Sequence, residues 1–185
     1  MFLLVEFIVA VLIADLITGV VHWWEDTYGN PNWPLAGKYI VEPNLLHHQN
    51  PRELAMKRYF ALCDSSLYFA VILIGVPWLL FDWHPFLYVA TIGISSQANQ
   101  VHSWAHRTEQ ENGKVIRILQ RIGIIQSRRH HGLHHKSPYM ERYCILTNAL
   151  NPVLDRLGVW RKTERVLEHL FGIRVLRGSA IRNGL

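Results

Sequence analysis

The chain has 185 residues, which fits a single domain. Half of the residues are hydrophobic and 18% are charged, against roughly 25% charged in an ordinary soluble domain. This composition excludes a disordered chain, a coiled coil and a collagen-like fibre. The net charge of +5 suits an anionic surface, and the two cysteines, Cys63 and Cys144, are too few for a disulfide-built scaffold.

Three long apolar stretches, in chain order, predict membrane-spanning helices at residues 2–24, 60–83 and 85–106. A helix of about 20 residues crosses the ~30 Å hydrocarbon core of a bilayer. The second stretch contains Pro77, which a membrane helix tolerates as a kink. The third becomes polar in its second half, which should therefore face protein or water. The predicted fold class is an all-α integral membrane protein with one domain over residues 1–185.

The segment after the third stretch, residues 107–172, is predicted to form a histidine-rich tail with interfacial amphipathic helices. Residues 115–126 and 151–172 both show helical amphipathic patterns, and Trp160 is the expected interfacial anchor. Simple packing of both helices against the metal-binding part of the domain is the favoured interpretation.

The basic residues predict the orientation in the membrane. All nineteen Lys and Arg residues lie within residues 38–58 or 107–182, and three spans place both segments on one side. The positive-inside rule makes that side cytoplasmic, in a bacterial inner membrane or the endoplasmic reticulum. Because basic residues beside anionic headgroups account for the net charge, no nucleic-acid partner is expected.

Histidine is the unusual residue, with eleven copies. Nine of them fall on the cytoplasmic side, at the ends of predicted spans or in the segments beside them. These candidate metal-ligating and catalytic residues are His22, His47, His48, His102, His106, His130, His131, His134 and His135. His84 lies in the opposite turn and His169 in a late amphipathic stretch, so neither is expected in the site.

The spacing of these histidines indicates a metal centre. His102 and His106 are four residues apart and share one face of a helix, and RRHHGLHH at residues 128–135 contains two further pairs at that spacing. Imidazole-rich sites without thiols suit iron, copper or zinc. The number of candidates favours two ions, and iron best fits an enzyme that attacks an unactivated C–H bond. The alternatives are a capping or interfacial role for His22, a role other than metal binding for the pair His47 and His48, and a solvated basic patch at residues 130–135.

Four further polar residues are predicted to support the site. Asp15 lies deep in the first span, where a charge is costly, and either holds a ligand histidine or hydrogen-bonds to the third span. Asp26 follows on the same helical stripe as Asp15 and His22. Asn99 either binds a metal-bound water or ties helices together, and Asp64 has the same two possible roles.

Several long motifs between Asp15 and His169 resemble the plasmanylethanolamine desaturase family. These membrane lipid desaturases include the bacterial CarF proteins and the plant enzymes of the fatty acid desaturase 4 type. The motifs are DLITGVVHWWEDTYG, GKYIVEPNLLHHQNP, NQVHSWAH, QSRRHHGLHHKSPYMERYCILTNALNP and LGVWRKTE. The resemblance carries the family's metal-binding role onto the nine histidines named above. It departs at residues 57–59, where the family often has another histidine, and at Tyr139, where some members have one.

The resemblance implies a di-iron centre that activates O2 and removes two hydrogens from a lipid chain. In the namesake enzymes the new bond is the vinyl ether of a plasmalogen, formed from a 1-O-alkyl phospholipid, and in the plant members it lies near the carboxyl end of an acyl chain. The expected partners are a membrane phospholipid substrate and an external electron donor, either cytochrome b5-like or a ferredoxin. Arg107, Arg128 and Arg129 are candidates to hold the lipid phosphate.

Two other classes of function stay open at this point. One is a related metal hydroxylase or oxidase that acts on a lipid or another hydrophobic substrate. The other is a non-enzymatic membrane protein that binds metal or haem. The motifs HExxH, GxSxG, GxGxxG and the P-loop are absent from the sequence, which argues against a metalloprotease, a serine hydrolase and a nucleotide-dependent enzyme.

Overall fold

The computed structural model describes residues 2–177, and regular structure in that range is helical throughout. Residue 1 and residues 178–185, the ends of the predicted domain, lie outside the described residues. A π-helical turn, Gly37–Val41, leads into the second helix. The ten α-helices are α1 (Phe2–Tyr28), α2 (Glu42–Gln49), α3 (Pro51–Met56), α4 (Tyr59–Phe81), α5 (Phe86–Ser95), α6 (Ala98–His106), α7 (Lys114–Arg121), α8 (Arg128–His134), α9 (Asn151–Leu157) and α10 (Val159–Phe171).

Two of these helices, α1 and α4, are long and apolar enough to cross a membrane. The most apolar window is only 22% buried in α1 and 17% buried in α4. A core helix of a soluble protein would be mostly buried, whereas these helices expose their Leu, Ile, Val and Phe side chains along most of their length. Exposed apolar surface of this extent indicates membrane association.

The third predicted span differs from the expectation of one continuous helix. Residues 85–106 form two short helices, α5 and α6, separated by a break at Ser96 and Gln97. The hydroxyl of Ser66 on α4 donates a hydrogen bond to the Ser96 carbonyl at 2.8 Å. This hydroxyl replaces the backbone N–H group that would donate to the Ser96 carbonyl in a continuous helix. The predicted change from apolar to polar sequence falls at this break. The apolar half, α5, packs along α1, and the polar half, α6, packs against α3, α4 and α8.

The buried face of α1 packs against the segment of residues 143–147. Gly19 makes this close approach possible, because a Cβ atom there would lie 2.6 Å from the Cys144 sulfur. Four residues farther towards the amino terminus, the Asp15 carboxylate accepts hydrogen bonds from the backbone N–H groups of Leu146 and Thr147 at 2.9 and 3.2 Å. Both predicted roles of Asp15 are therefore wrong, since it binds neither a histidine nor the third span.

The tail forms four helices whose surroundings differ. Every residue of α7 keeps contact with solvent, whereas α9 and α10 pack back on the end of α1. Gly158, with φ of +63°, separates α9 from α10 in the left-handed region that glycine adopts readily. The prediction of Trp160 as an interfacial anchor is wrong. Its ring is 4% exposed and packs 5.6 Å from the ring of Trp23.

Candidate metal centre

Eight predicted histidines and one aspartate converge in two adjoining groups where α1, α2, α6 and α8 meet. Each residue offers one ligand atom, and within a group these atoms all lie within 4.8 Å of one another. The imidazole group consists of His47, His102, His106, His131 and His135. The carboxylate group consists of His22, Asp26, His48 and His134.

Helical periodicity assembles the imidazole group. His102 and His106 point from successive turns of α6, and His131 on α8 is followed one turn later by His135, the C-terminal capping residue of that helix. The Nε2 atom of His131 lies 2.8 Å from that of His102, and 3.0 Å from those of His106 and His135. Neighbouring nitrogens that share one ion at ~2.1 Å are about 3 Å apart, so this spacing fits a common metal.

Asp26 joins the three histidines of the carboxylate group. Its Oδ1 atom lies 3.0 Å from His48 Nε2, and its Oδ2 atom lies 3.3 Å from His134 Nε2 and 3.6 Å from His22 Nε2. The side-chain amide of Asn44 donates a hydrogen bond to Asp26 Oδ1 at 2.7 Å. The sequence predicted Asp26 as a supporting residue, whereas the structure gives it the position of a potential ligand.

Backbone carbonyls fix the orientation of three imidazoles. The Nδ1 atom of His22 contacts the Tyr143 carbonyl at 3.1 Å, and that of His134 contacts the Glu141 carbonyl at 2.7 Å. His47 Nδ1 makes the same contact with the Asn44 carbonyl. A carbonyl only accepts, so Nδ1 carries the proton in each ring and Nε2 presents its lone pair to the centre.

The atoms that face the two groups lack other partners. The Nε2 atoms of His22, His47 and His134 and the Oδ2 atom of Asp26 are buried without a hydrogen-bond partner among the described residues. Buried polar atoms are normally paired, and metal ions would satisfy all four. A donor set of imidazoles with one carboxylate suits iron, copper or zinc.

Burial keeps the imidazoles neutral, which is the form that binds metals. It lowers the pKa of His131 and of His47 well below 6.5, and the neighbouring histidines lower both further. Burial and then His48 and His106 lower the pKa of His135 to about 2. The imidazole group therefore stays ready to bind a metal at neutral pH.

The two groups are neighbours across a short distance. His47 and His48 are adjacent in the chain but belong to different groups, with ring centroids 4.3 Å apart. The rings of His22 and His102, also from different groups, are 5.4 Å apart. The arrangement can hold two metal ions side by side.

His130 differs from its prediction as a metal ligand, because the structure places it outside both groups. Arg142 Nη1 lies 3.2 Å from its Nδ1 atom, and the Asn151 amide lies 3.1 Å from its Nε2 atom. An α-helix turns by about 100° per residue. Viewed along the axis of α8, His134, His131 and the capping residue His135 therefore lie within an arc of about 100°. His130 lies about 40° outside that arc.

Asp64 and Asn99 also lie away from the two groups. The exposed carboxylate of Asp64 accepts a hydrogen bond from the Ser65 N–H at 2.6 Å. The Asn99 amide donates to the Leu62 carbonyl at 2.9 Å, which fulfils its alternative role of tying α6 to α4.

Three contributions to the centre were missed in the sequence. The carbonyls of Tyr143 and Glu141 carry no side-chain signal, because every residue has a carbonyl. Asn44 lies three residues before His47, and this spacing could have indicated that Asn44 is near the centre. The ring of Tyr139 lies 4.8 Å from that of His48 in the carboxylate group, a contact that the sequence did not predict.

The fold and the centre define an all-helical, membrane-associated protein with a buried histidine-rich site for metal. The sequence profile of the lipid desaturase domain matches residues 11–176. The chain therefore belongs to the lipid desaturase family, a family of oxidoreductases, which confirms the resemblance found in the sequence.

Named relatives from a virus, an animal and a plant agree with this assignment. A probable fatty acid desaturase of Acanthamoeba polyphaga mimivirus is 34% identical over 92% of this chain and 84% of its own length. Plasmanylethanolamine desaturase 1 of Mus musculus is 30% identical over 87% of this chain. The chloroplastic fatty acid desaturase 4-like 2 of Arabidopsis thaliana is 37% identical over 88% of this chain. The chain spans 63% of the mouse protein and 59% of the plant protein. No solved structure matches.

Proposed function

We propose that this chain is a di-iron, O2-dependent desaturase that forms a double bond near the headgroup end of a membrane lipid chain. One observation carries the proposal. Two adjoining groups of imidazole nitrogens and carboxylate oxygens have spacings that suit two ions, and four of these buried atoms, the Nε2 atoms of His22, His47 and His134 and Asp26 Oδ2, lack hydrogen-bond partners among the described residues. The eight clustered histidines and Asp26 are the proposed ligands, and His130 is not included.

The reaction that this site would perform has a definite balance. A –CH2–CH2– unit loses two hydrogens, and O2 takes up these two, two protons and two electrons to give two waters. Iron, when bound, supplies the oxidising power for C–H cleavage. The protein orients three imidazoles through backbone carbonyls, and burial of eight of the nine ligand side chains, all but the half-buried His135, limits access of bulk water.

The two electrons require an external donor in this proposal. The sequence has no flavin or nicotinamide fingerprint. We propose a separate cytochrome b5-like protein or a ferredoxin as the donor, which docks on the cytoplasmic side.

The proposed topology is multi-pass, with α1, α4 and the α5–α6 pair crossing the membrane. The positive-inside rule places the histidines on the cytoplasmic side, in a bacterial inner membrane or the endoplasmic reticulum.

The position of the centre supports a reaction close to the lipid headgroup. His22 and Asp26 lie in the last two turns of α1, on either side of the end of its apolar stretch at residue 24. The mouse relative is named a plasmanylethanolamine desaturase, which favours a 1-O-alkyl phospholipid as substrate and a plasmalogen vinyl ether as product. The plant relatives, named fatty acid desaturases, favour an acyl chain as the second candidate.

Lipid mass spectrometry would test the proposal. The chain and its His131→Ala variant are expressed with an electron donor in a host without vinyl ethers, and the cells receive a 1-O-alkyl lipid. His169→Ala is the matched control, because His169 is exposed on α10. We expect an acid-labile product two hydrogens lighter from the chain and from the control, and none from His131→Ala.

Other outcomes decide between the alternatives. A double bond in an acyl chain would move the substrate to the second candidate, and a hydroxyl group would assign a related hydroxylase. Bound iron without any change in lipids, when a competent donor is present, would contradict the enzymatic proposal and favour a non-enzymatic metal-binding protein. Equal product from His131→Ala would contradict the proposed site.

A further inference from the structure

A cavity of about 500 Å³ lies between the start of α4 and the outer face of α6, apart from the metal centre. We call it the basic cavity. Its wall includes Lys57, Arg58, Tyr59, Gln100, Trp104 and Arg107. Gln100, Trp104 and Arg107 follow one face of α6, and His102 and His106 point from that helix into the metal centre.

The charges on the wall favour an anion. Three side chains are cationic, and none of the described residues that line the cavity is acidic. Glu53 lies nearby and approaches Lys57 at 3.6 Å. A second cavity, of about 510 Å³, serves as a comparison, because it mixes three basic residues with Glu141 and Asp155. Of these two cavities, the basic cavity therefore has the greater attraction for a negative group.

Hydrogen-bond donors in the basic cavity are available for a ligand. Arg107 uses Nε to bind the Ala55 carbonyl at 3.0 Å, which leaves the two terminal nitrogens of its guanidinium. The side-chain amide of Gln100 forms no hydrogen bond within residues 2–177, and neither of its polar atoms is among the fully buried unpartnered ones, so the amide is accessible from the cavity. A phosphate oxygen could accept from both side chains.

The cavity also lies where an apolar helix begins. Tyr59 is the first residue of α4, and Phe60 next to it is 74% exposed. In a bilayer, the start of a spanning helix lies at the level of the lipid phosphates, and exposed apolar side chains beyond it contact the lipid tails. A phospholipid can therefore place its phosphate in the cavity and its chains along α4.

We propose that the basic cavity binds the phosphate of a membrane phospholipid, with Arg58, Arg107 and Gln100 as the donors. The chemistry recognised is a singly charged phosphodiester. The site is separate from the metal centre, so the proposal holds whether the bound lipid is a substrate or a neighbour in the membrane, and it does not depend on desaturase activity.

Calorimetric titration of the purified full-length protein in detergent would test this proposal. The probes are dihexanoyl phosphatidylglycerol, dihexanoylglycerol without the phosphate, and inorganic phosphate. The variants are Arg58→Gln and Gln100→Leu. Arg156→Gln is the matched control, because Arg156 is exposed on α9 and the charge change is the same. We expect Arg58→Gln to weaken phosphatidylglycerol binding about tenfold, from the loss of one charge-assisted hydrogen bond.

The remaining outcomes are equally decisive. Equal affinities for Arg58→Gln and Arg156→Gln, or equal binding of dihexanoylglycerol, would overturn the phosphate site. Inorganic phosphate that binds as tightly as the lipid would overturn the assignment to a phospholipid. If Gln100→Leu does not fold, Arg58→Gln still decides, since the Arg58 side chain is exposed and makes no hydrogen bond within the described residues. Metal content and lipid products, measured on the same preparations, test the proposed function separately.

Discussion

The imidazole group and the carboxylate group lie side by side but are built differently. The imidazole group has five neutral rings whose nitrogens lie against one another, so its ligands bring no negative charge. The carboxylate group contains Asp26 and is held from outside, by the Tyr143 and Glu141 carbonyls and by Asn44. The imidazole group and the carboxylate group should therefore differ in their affinity for metal. The geometry of the carboxylate group should also depend more on the segment that contains Glu141 and Tyr143.

The largest expected effect comes from Asp26→Asn. The amide removes the only carboxylate of the two groups and leaves three imidazoles, so we expect about one of two ions to be lost and activity to fall more than 100-fold. Metal analysis of the purified variant would check this. His131→Ala, which breaks the other group, is the matched comparison. Full metal content in Asp26→Asn would contradict the assignment of Asp26 as a ligand.

The second effect comes from the close approach between α1 and residues 143–147. A valine side chain at Gly19 would overlap the Cys144 sulfur, so Gly19→Val should lower the free energy of unfolding by about 1–3 kcal/mol. It should also displace the Tyr143 carbonyl from His22 and weaken the carboxylate group first. Thermal unfolding and metal analysis would show this. Gly75→Ala on α4 is the control, because nothing lies within 4 Å of that added methyl.

A third, smaller effect is a dependence on pH. Burial lowers the pKa of His131 and of His135 far below 6.5, so the metal-free folded protein binds fewer protons than the unfolded chain at acidic pH. Its free energy of unfolding should therefore fall as the pH drops below 6.5. Melting temperatures of chelator-treated protein between pH 7.5 and 5.5 would measure the slope. His135→Phe should make the slope shallower, and an unchanged slope would contradict this account.

The smallest effect is expected for His130→Ala. Burial and the nearby Arg142 lower the pKa of His130 to about 4, so its neutral ring accepts one hydrogen bond, from Arg142 or from Asn151, and lies outside both metal groups. We expect full metal content and a loss of about 1 kcal/mol of stability from these contacts. Measuring the metal content of His130→Ala and of His131→Ala in parallel would distinguish the roles of these two adjacent residues. Loss of an ion from His130→Ala would restore it as a ligand.

The sequence predicted the parts of the centre that depend on helical periodicity and on membrane depth. The i, i+4 spacing placed His102 with His106 and His131 with His135. The predicted topology placed His22, His47 and His48 at the same side of the membrane as these two pairs. The α1 stripe from Asp15 to Asp26 is buried as expected. The lipid desaturase family was likewise evident from the ordered motifs.

Other features depend on tertiary contacts that one sequence does not display. The i, i+4 pattern included His130, but the direction of α8 relative to its neighbours decides which arc of that helix meets the other histidines. The role of Asp15 depends on a loop more than 130 residues away. The break at Ser96 depends on the Ser66 hydroxyl, and the burial of Trp160 depends on the return of α10 to α1.

The continuity of α1 has a mechanical consequence. This helix of 27 residues has a length of about 40 Å, exposes apolar side chains along most of that length and carries His22 and Asp26 near its end. Bilayers of different thickness tilt such a helix to match its apolar length. In the proposed membrane-spanning arrangement, bilayer thickness would change the tilt of the helix that carries His22 and Asp26, so the acyl-chain length of the reconstitution lipid becomes an experimental variable in its own right.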